Sequence, residues 1–125
     1  MKSITQLFCV LQFLLVLPFG PAYGLSVEGS SALLQGLDKV TARVSTFTAD
    51  LGEGVRFGTL DIIVKKCMKT PPEETPERAA FLEIRDLKPG QDSEILFTGW
   101  MFASSPSLSA MEHPVYDVWI IDCLE

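Results

Sequence analysis

The sequence predicts an all-β domain, a small antiparallel sandwich or partly closed barrel of about six to eight strands, stapled by one disulfide. Short segments rich in β-branched and aromatic residues recur along the chain, and Gly- and Pro-containing turns separate them. No segment carries a long helical repeat. Beyond an N-terminal leader, the chain is long enough for one domain with a small core.

The first 24 residues predict a secretory signal that is cleaved and is not part of the fold. Lys2 gives a positive start, residues 7–17 are apolar, Pro18 breaks the run, and small residues at 22 and 24 suit a signal peptidase. An alternative is a short membrane anchor or a buried helix, but spanning a bilayer takes about 20 apolar residues. We therefore expect a periplasmic or secreted protein, with no stable membrane span after cleavage behind Gly24.

The charge balance excludes some partners. The chain has 16 acidic and 10 basic residues, a net charge of −6. Nucleic acids and anionic lipid surfaces require clustered Lys and Arg, so neither is expected as a partner. Within the mature part we expect a flexible Gly/Ser-rich lead-in at residues 25–36 and a single β-domain at residues 37–125.

Two cysteines remain once the signal is removed, Cys67 and Cys123. In an oxidising compartment two cysteines normally pair, so we predict a disulfide between them. The alternatives are a free thiol or a metal ligand. Zinc is disfavoured because no second Cys lies two to four residues from either one.

The first predicted strands form a hairpin. Residues 42–49 are β-branched and alternate loosely, as a strand does. Residues 50–54 contain two glycines and predict a turn, after which residues 55–57 return along the first strand. Residues 60–68 predict a second long strand. Its alternation places Leu60, Ile62 and Val64 on one face and Ile63 and Cys67 on the other.

The middle of the chain predicts two more strands. Residues 70–77 contain three prolines and predict an exposed, stiff connector. Residues 79–85 show the cleanest alternation, with Ala80, Leu82 and Ile84 facing inward. A Pro-Gly turn at residues 89–90 leads to a strand at residues 93–103.

The C-terminal region holds a long connection, residues 104–114, and a closing strand, residues 115–122. Trp119, Ile121 and Cys123 are predicted to share one face of this strand. Because both faces carry apolar residues, the pattern predicts a central strand.

The segment GWMFASSPSLSAMEHPVYDVWIIDC resembles the C-terminal signature of a bacterial family classed as a domain of unknown function, DUF2155. The segments RFGTLDIIVKKC and PPEETPERAAFLEI resemble its middle section. The resemblance runs from about residue 37 to residue 123 and is to exported proteins of alphaproteobacteria. It implies a secreted or periplasmic β-domain with one cysteine in each of two strands, and it implies no activity.

The lone histidine, His113, is the first candidate for chemistry. Serines 105, 107 and 109, with Glu112 and Asp117 nearby, permit a Ser-His-Asp interpretation. No Gly-x-Ser-x-Gly elbow supports it. Serines and prolines are ordinary loop formers, so the simpler interpretation is that His113 makes a structural hydrogen bond.

The aromatic residues are the second candidate. Trp100, Phe102, Tyr116 and Trp119 could stack on a sugar or peptide, although aromatic residues also dominate small β cores. We expect Trp119 in the core and Trp100 on a partly exposed surface. The acidic residues match no calcium loop, and no phosphate-binding loop occurs, so we expect no metal and no cofactor.

These observations favour a non-enzymatic interaction or structural module of the cell envelope, binding an envelope protein or a cell-wall polymer. The alternatives are a small hydrolase that uses His113 with a loop serine, and a module that adds a strand edge to an assembly. The candidate interaction surface comprises Trp100, Phe102, Ser105, Ser107, His113 and Tyr116.

Overall fold

Two antiparallel β-sheets pack face to face in a computed structural model that describes residues 24–106 and 111–125. Eight strands make up the sheets: β1 Val27–Glu28, β2 Ser31–Asp38, β3 Arg43–Asp50, β4 Gly54–Phe57, β5 Leu60–Lys69, β6 Arg78–Asp86, β7 Glu94–Phe102 and β8 Tyr116–Leu124. The all-β prediction is confirmed, and of its two forms the open sandwich is the one observed. Within the described ranges, no helix is long and apolar enough to cross a membrane.

The five-stranded sheet is built around β5 and β6. Its order is β5-β6-β7, and two short strands pair with the other edge of β5. Strand β4 covers residues 60–63 of that edge, and β1 covers residues 68–69. The inward alternation predicted for residues 79–85 is confirmed, because Ala80, Leu82 and Ile84 are fully buried.

The three-stranded sheet has the order β3-β2-β8. Its middle strand corrects the prediction of a flexible lead-in at residues 25–36, since β2 begins at Ser31 and buries Ala32 and Leu34 completely. The Gly/Ser-rich composition suggested a loop. Pairing on both sides satisfies the backbone of β2, and burial of its inner face compensates for its low intrinsic strand preference. The signal-peptide prediction concerns residues outside the described ranges and stays a prediction.

The predicted hairpin between β3 and β4 is wrong. Strand β3 pairs with β2, whereas β4 pairs with β5 through the tight turn at Gly58 and Thr59. The turn after β3 instead carries the chain from one sheet to the other, with Gly52 at a φ of 80°. This arrangement lets Phe47 of β3 stack on Phe57 of β4 across the sandwich, with ring centroids 5.5 Å apart.

The predicted disulfide is confirmed: Cys67 of β5 and Cys123 of β8 are bonded, with Cα atoms 5.6 Å apart, and both are fully buried. The bond joins the two sheets. The predicted face-sharing of both cysteines is wrong: Cys67 points into the core with Ile62 and Val64, and Cys123 points into it with Val118 and Ile120, on the side away from Trp119. One extra residue, Lys65 in β5 and Ile121 in β8, shifts the alternation before each cysteine.

The prediction that the closing strand, β8, is central is wrong. Among the described strands it pairs with β2 alone, so it lies at an edge of the three-stranded sheet. Val118 and Ile120 face the core, while Trp119, which was expected in the core, is half-buried on the outer side with Ile121. These outer residues are partly covered because they line a groove beside the Pro-rich loop.

Candidate functional site

His113 lies just before β8, and its side chain is only 6% exposed. Its Nε2 is 3.0 Å from Oδ2 of Asp86, at the end of β6. Its Nδ1 accepts two backbone hydrogen bonds, from the N–H groups of Val115 at 3.0 Å and Tyr116 at 3.1 Å. Because Nδ1 is an acceptor in both bonds, the ring proton belongs on Nε2, which donates it to Asp86.

This geometry differs from the proposed triad. A catalytic histidine needs one ring nitrogen free to take a proton from the serine, and both nitrogens of His113 are engaged. The carboxylate partner of His113 is Asp86. The two acids near His113 in the sequence do not take this role, because Glu112 is exposed and Asp117 pairs with Lys39 at 3.2 Å. Ser107 and Ser109 lie outside the described residues.

Asp86 is a carboxylate held in the interior, with a side chain 1% exposed. Burial acts to raise its pKa, but hydrogen bonding toward Thr59 and His113 and the charge of Lys88 outweigh it, so the pKa lies below its ordinary value. Nζ of Lys88 is 3.7 Å from Oδ2. The other oxygen, Oδ1, is buried and lacks a hydrogen bond of good geometry, even though the Thr59 hydroxyl is directed toward this carboxylate.

A row of stacked rings continues from His113 across the end of the sandwich. The imidazole stacks on Tyr116 with centroids 5.2 Å apart, Tyr116 meets Phe57 edge to face at 5.4 Å, and Phe57 stacks on Phe47. Gly36 of β2 leaves the space for Phe57, since a Cβ there would lie 2.6 Å from the ring. His113 and Tyr116 therefore close one end of the core, which is a structural arrangement.

The outer face of the five-stranded sheet carries the more open candidate. Trp100 of β7 is 38% exposed and packs edge to face on Phe81 of β6, with centroids 5.5 Å apart. Thr98 and Glu83 form the next cross-strand pair on this face. The face thus presents an exposed indole beside polar and charged side chains.

Glu83 is the centre of the charge on this face. Its carboxylate is 2.8 Å from the Arg85 guanidinium and 3.3 Å from Nζ of Lys65. Hydrogen bonds from these two cations hold the pKa of Glu83 below its ordinary value. In this group the Glu83 carboxylate supplies hydrogen-bond acceptors, and the Lys65 ammonium and the Arg85 guanidinium supply donors.

A second surface lies beside the Pro-rich loop. Glu77 ties this loop to the turn after β7, because its carboxylate accepts hydrogen bonds from the hydroxyl and the N–H of Ser104. A groove of about 330 Å³ follows, lined by Pro76, Glu77, Arg78, Ala103, Ser104, Pro106, Trp119, Ile120 and Ile121. Ser105, half-buried, donates its N–H to Phe102 at 3.2 Å within the turn.

The structure divides the predicted interaction surface in two. Trp100, Phe102 and Ser105 lie at and near the end of β7, whereas His113 and Tyr116 close the core at the far end of the sandwich. Phe81, opposite Trp100, and Asp86, the partner of His113, are five residues apart on β6, about 17 Å at strand spacing.

Sequence reasoning missed Asp86, Phe81 and Glu83. A signal for Asp86 exists: the inward alternation of Ala80, Leu82 and Ile84 continues to position 86, where an acid stands in place of an apolar residue. A buried carboxylate requires a partner, and His113 is the one that the fold supplies. Within residues 24–106 and 111–125, no three His, Cys, Asp or Glu side chains are grouped to hold a metal ion.

Comparison with known proteins gives a family and a relative. The family described as "Uncharacterized protein conserved in bacteria (DUF2155)" matches residues 32–123. The chain is 36% identical over 87 residues to the uncharacterized protein RP359 of Rickettsia prowazekii (strain Madrid E). The match covers 70% of this chain and 56% of that relative, so the chain spans little more than half the relative's length. No solved structure matches the chain significantly.

Proposed function

The chain belongs to the bacterial family DUF2155, and from that premise we propose that it is an exported, non-enzymatic interaction module of the cell envelope. Its binding surface is the outer face of the five-stranded sheet around Trp100. The observation that carries the proposal is the exposed indole of Trp100, placed on an open sheet face beside the Glu83 charge cluster.

The state of His113 supports a non-enzymatic role. Its two ring nitrogens hold Asp86 and the start of β8, and its side chain is buried. A histidine used in this way stabilises the fold and has no nitrogen left to activate a serine. The hydrolase alternative would require both sets of hydrogen bonds to break before catalysis.

The disulfide supports export. Structural disulfides persist in the periplasm and outside the cell, and cytosolic reductants oppose them. The Cys67–Cys123 bond is fully buried and joins the two sheets, as expected of a structural disulfide. Together with the apolar N-terminal run, it favours a periplasmic or secreted location.

The chemistry around Trp100 supports a ligand with an apolar surface and polar edges. An indole contributes contact area and one N–H donor, and such residues commonly carry the binding energy of an interface. The neighbouring carboxylate and cations are placed to hydrogen-bond to a hydroxyl-rich polymer or to a polar protein surface. An envelope protein and a cell-wall polymer are therefore the two partner classes to test.

The test is crosslinking in intact cells, followed by purification of the chain and identification of the bound material. Trp100→Ala should lose the partner, because it removes the exposed ring without touching the core. Val40→Ala is the matched control, since Val40 is 77% exposed in a turn of the other sheet. Equal capture by both variants would remove the Trp100 face from consideration, and recovery of the chain only in the cytosol would overturn export.

A serine-directed covalent probe tests the enzymatic alternative on the same purified chain. We expect no labelling. Labelling that disappears in His113→Asn would overturn the non-enzymatic assignment.

A further inference from the structure

The outer edge of β3 is an unprotected strand edge. Its residues Arg43–Asp50 pair with β2 in eight consecutive positions without a bulge, and six of the eight are exposed. No strand of the described residues pairs with the opposite edge of β3. A long, flat, unpaired edge is a template for another strand, because its N–H and C=O groups lack partners.

The other strand edges of the sandwich are shorter or irregular. A register shift interrupts β7 at Leu96 and β8 at Ile121, and β4 and β1 cover parts of β5. Strand β3 has none of these features, and it contains no proline or lysine. Val44 in β3 is 54% exposed, which adds apolar surface to the edge.

The hydrogen-bond pattern identifies the residues whose backbone is free. Leu51, directly after β3, donates its N–H to Ser30 at 3.1 Å, on the side of β2. In an antiparallel pair the backbone groups of successive residues point to alternate sides of the strand. The N–H and C=O groups of the odd-numbered residues of β3 therefore point toward β2, and those of the even-numbered residues point toward the open edge. Among the described residues, the outward N–H and C=O groups left without a strand partner are therefore those of Val44, Thr46 and Thr48, while the C=O of Asp50 accepts from the N–H of Glu53 at 3.1 Å.

We propose that this edge binds the same edge of a second copy of the chain, forming a two-fold dimer with a continuous six-stranded sheet. The outward groups can pair only if even-numbered residues face even-numbered residues. Centring the two-fold on Thr46 places Thr46 opposite its own copy and Val44 opposite Thr48 of the other copy. Shifting the centre to Phe47 would instead place Val44 against Asp50.

Charge complementarity favours a second copy in this antiparallel orientation. One end of β3 carries Arg43, and the other carries Asp50, followed by Glu53 in the next turn. Antiparallel pairing of two copies brings the basic end of each strand to the acidic end of the other. Arg43 and Asp50 lie on opposite faces of the sheet, so their attraction sets the direction and is not a direct ion pair. A parallel pair would place like charges together.

Sedimentation velocity of the purified, disulfide-intact chain tests the proposal. We expect a dimer that shifts to monomer in Thr46→Pro, because proline removes an outward N–H and leaves the β2 ladder in place. Thr46→Val retains the N–H and should remain dimeric. A monomeric wild-type chain at about 0.1 mM would overturn the proposal, as would dimers of equal strength in both variants.

A crosslink tests the register independently of stability. Opposing Cα atoms in a hydrogen-bonded antiparallel pair are about 5.5 Å apart, within the range that a disulfide bridges. Thr46→Cys should therefore give a covalent dimer on oxidation. Thr48→Cys should not, because residue 48 faces Val44 of the other copy, and the two residues 48 lie four positions apart along the strands, about 13 Å. Crosslinking of Thr48→Cys as fast as Thr46→Cys would overturn this register. Trp100→Ala should leave the dimer intact, so this proposal and the proposed function can fail separately.

Discussion

Lys65 and Ile121 are the extra residues of two β-bulges, and each stands two residues before one cysteine of the disulfide. Val64 and Ile120, directly before the bulges, face the core. Strict alternation would then turn Cys67 and Cys123, three residues later, toward the outside. Each bulge reverses the alternation, so both cysteines point inward and meet.

Deleting Lys65 and Lys66 together should prevent the disulfide. Cys67 then follows Val64 directly, takes the position of Lys66 opposite Phe81 and faces outward. Moving the other half of β5 instead would turn Leu60, Ile62 and Val64 out of the core, which costs more because all three are fully buried. Intact-mass measurement after alkylation should find two free thiols.

The control is deletion of Lys65 alone, the extra residue of the bulge. Val64 then stays opposite Leu82 and Cys67 opposite Ala80, with one outward residue between them, so the disulfide should form. A bonded Cys67–Cys123 pair in the double deletion would show that strand alternation does not orient the cysteine.

Reduction of the disulfide should lower stability strongly. The cysteines are 56 residues apart, and constraining a loop of this length in the unfolded chain contributes about 4 kcal/mol. Thermal unfolding with and without reductant measures the change. The Cys67→Ser and Cys123→Ser double variant should unfold at one temperature in both conditions, and a reductant effect that persists in it would point to another cause.

Replacing His113 with alanine should destabilise the fold by about 3 kcal/mol. The substitution leaves the Asp86 carboxylate buried without its donor and frees two backbone N–H groups at the start of β8. Urea unfolding measures the change. Glu112→Ala alters an exposed neighbour and should stay within about 0.5 kcal/mol. A similarly small effect for His113→Ala would mean that these bonds contribute little.

Asp86 should make the fold sensitive to acid. Because its pKa is lower in the folded protein, the unfolded chain binds the proton more readily. The stability it contributes is complete above its unfolded pKa, about 3.9, and is lost as the pH falls through the lower folded value.

Asp86→Asn should therefore lose less unfolding free energy than the wild type between about pH 5 and about pH 3. Glu77 and Glu83 also have lowered pKa values and act in the same direction, so part of the loss should remain. Urea titrations at each pH measure this slope, with Asp92→Asn, an exposed acid in the β6–β7 turn, as the control. Parallel pH profiles for the wild type and Asp86→Asn would contradict the assignment.

Gly36→Ala should destabilise the fold by about 1–3 kcal/mol, because the new methyl group would enter the space of the Phe57 ring. The same substitution in a Phe57→Leu background should cost less, since the smaller side chain relieves the clash. Thermal unfolding of the four proteins forms a double-mutant cycle. Additive effects would show that the two residues are not in contact.

The candidate site was only partly accessible from the sequence. The partial exposure of Trp100 followed from the strand pattern, and the structure agrees. The partner of His113 is not among its neighbours in the chain: it is Asp86, which lies 27 residues away on another strand. A contact between distant strands depends on pairing and register, and neither is encoded within a local window.

The sequence by itself determined the all-β class, the inward face of β6 and the Cys67–Cys123 bond, because local alternation, turn residues and cysteine number are properties of short segments or of composition. Only the tertiary structure decided that residues 31–38 form a central strand, that β4 pairs with β5, and that two bulges turn both cysteines inward. These features arise when segments far apart in the chain satisfy each other's backbone groups and bury each other's apolar faces. Strand pairing and burial therefore depend on contacts between strands and cannot be read from the sequence of one strand alone.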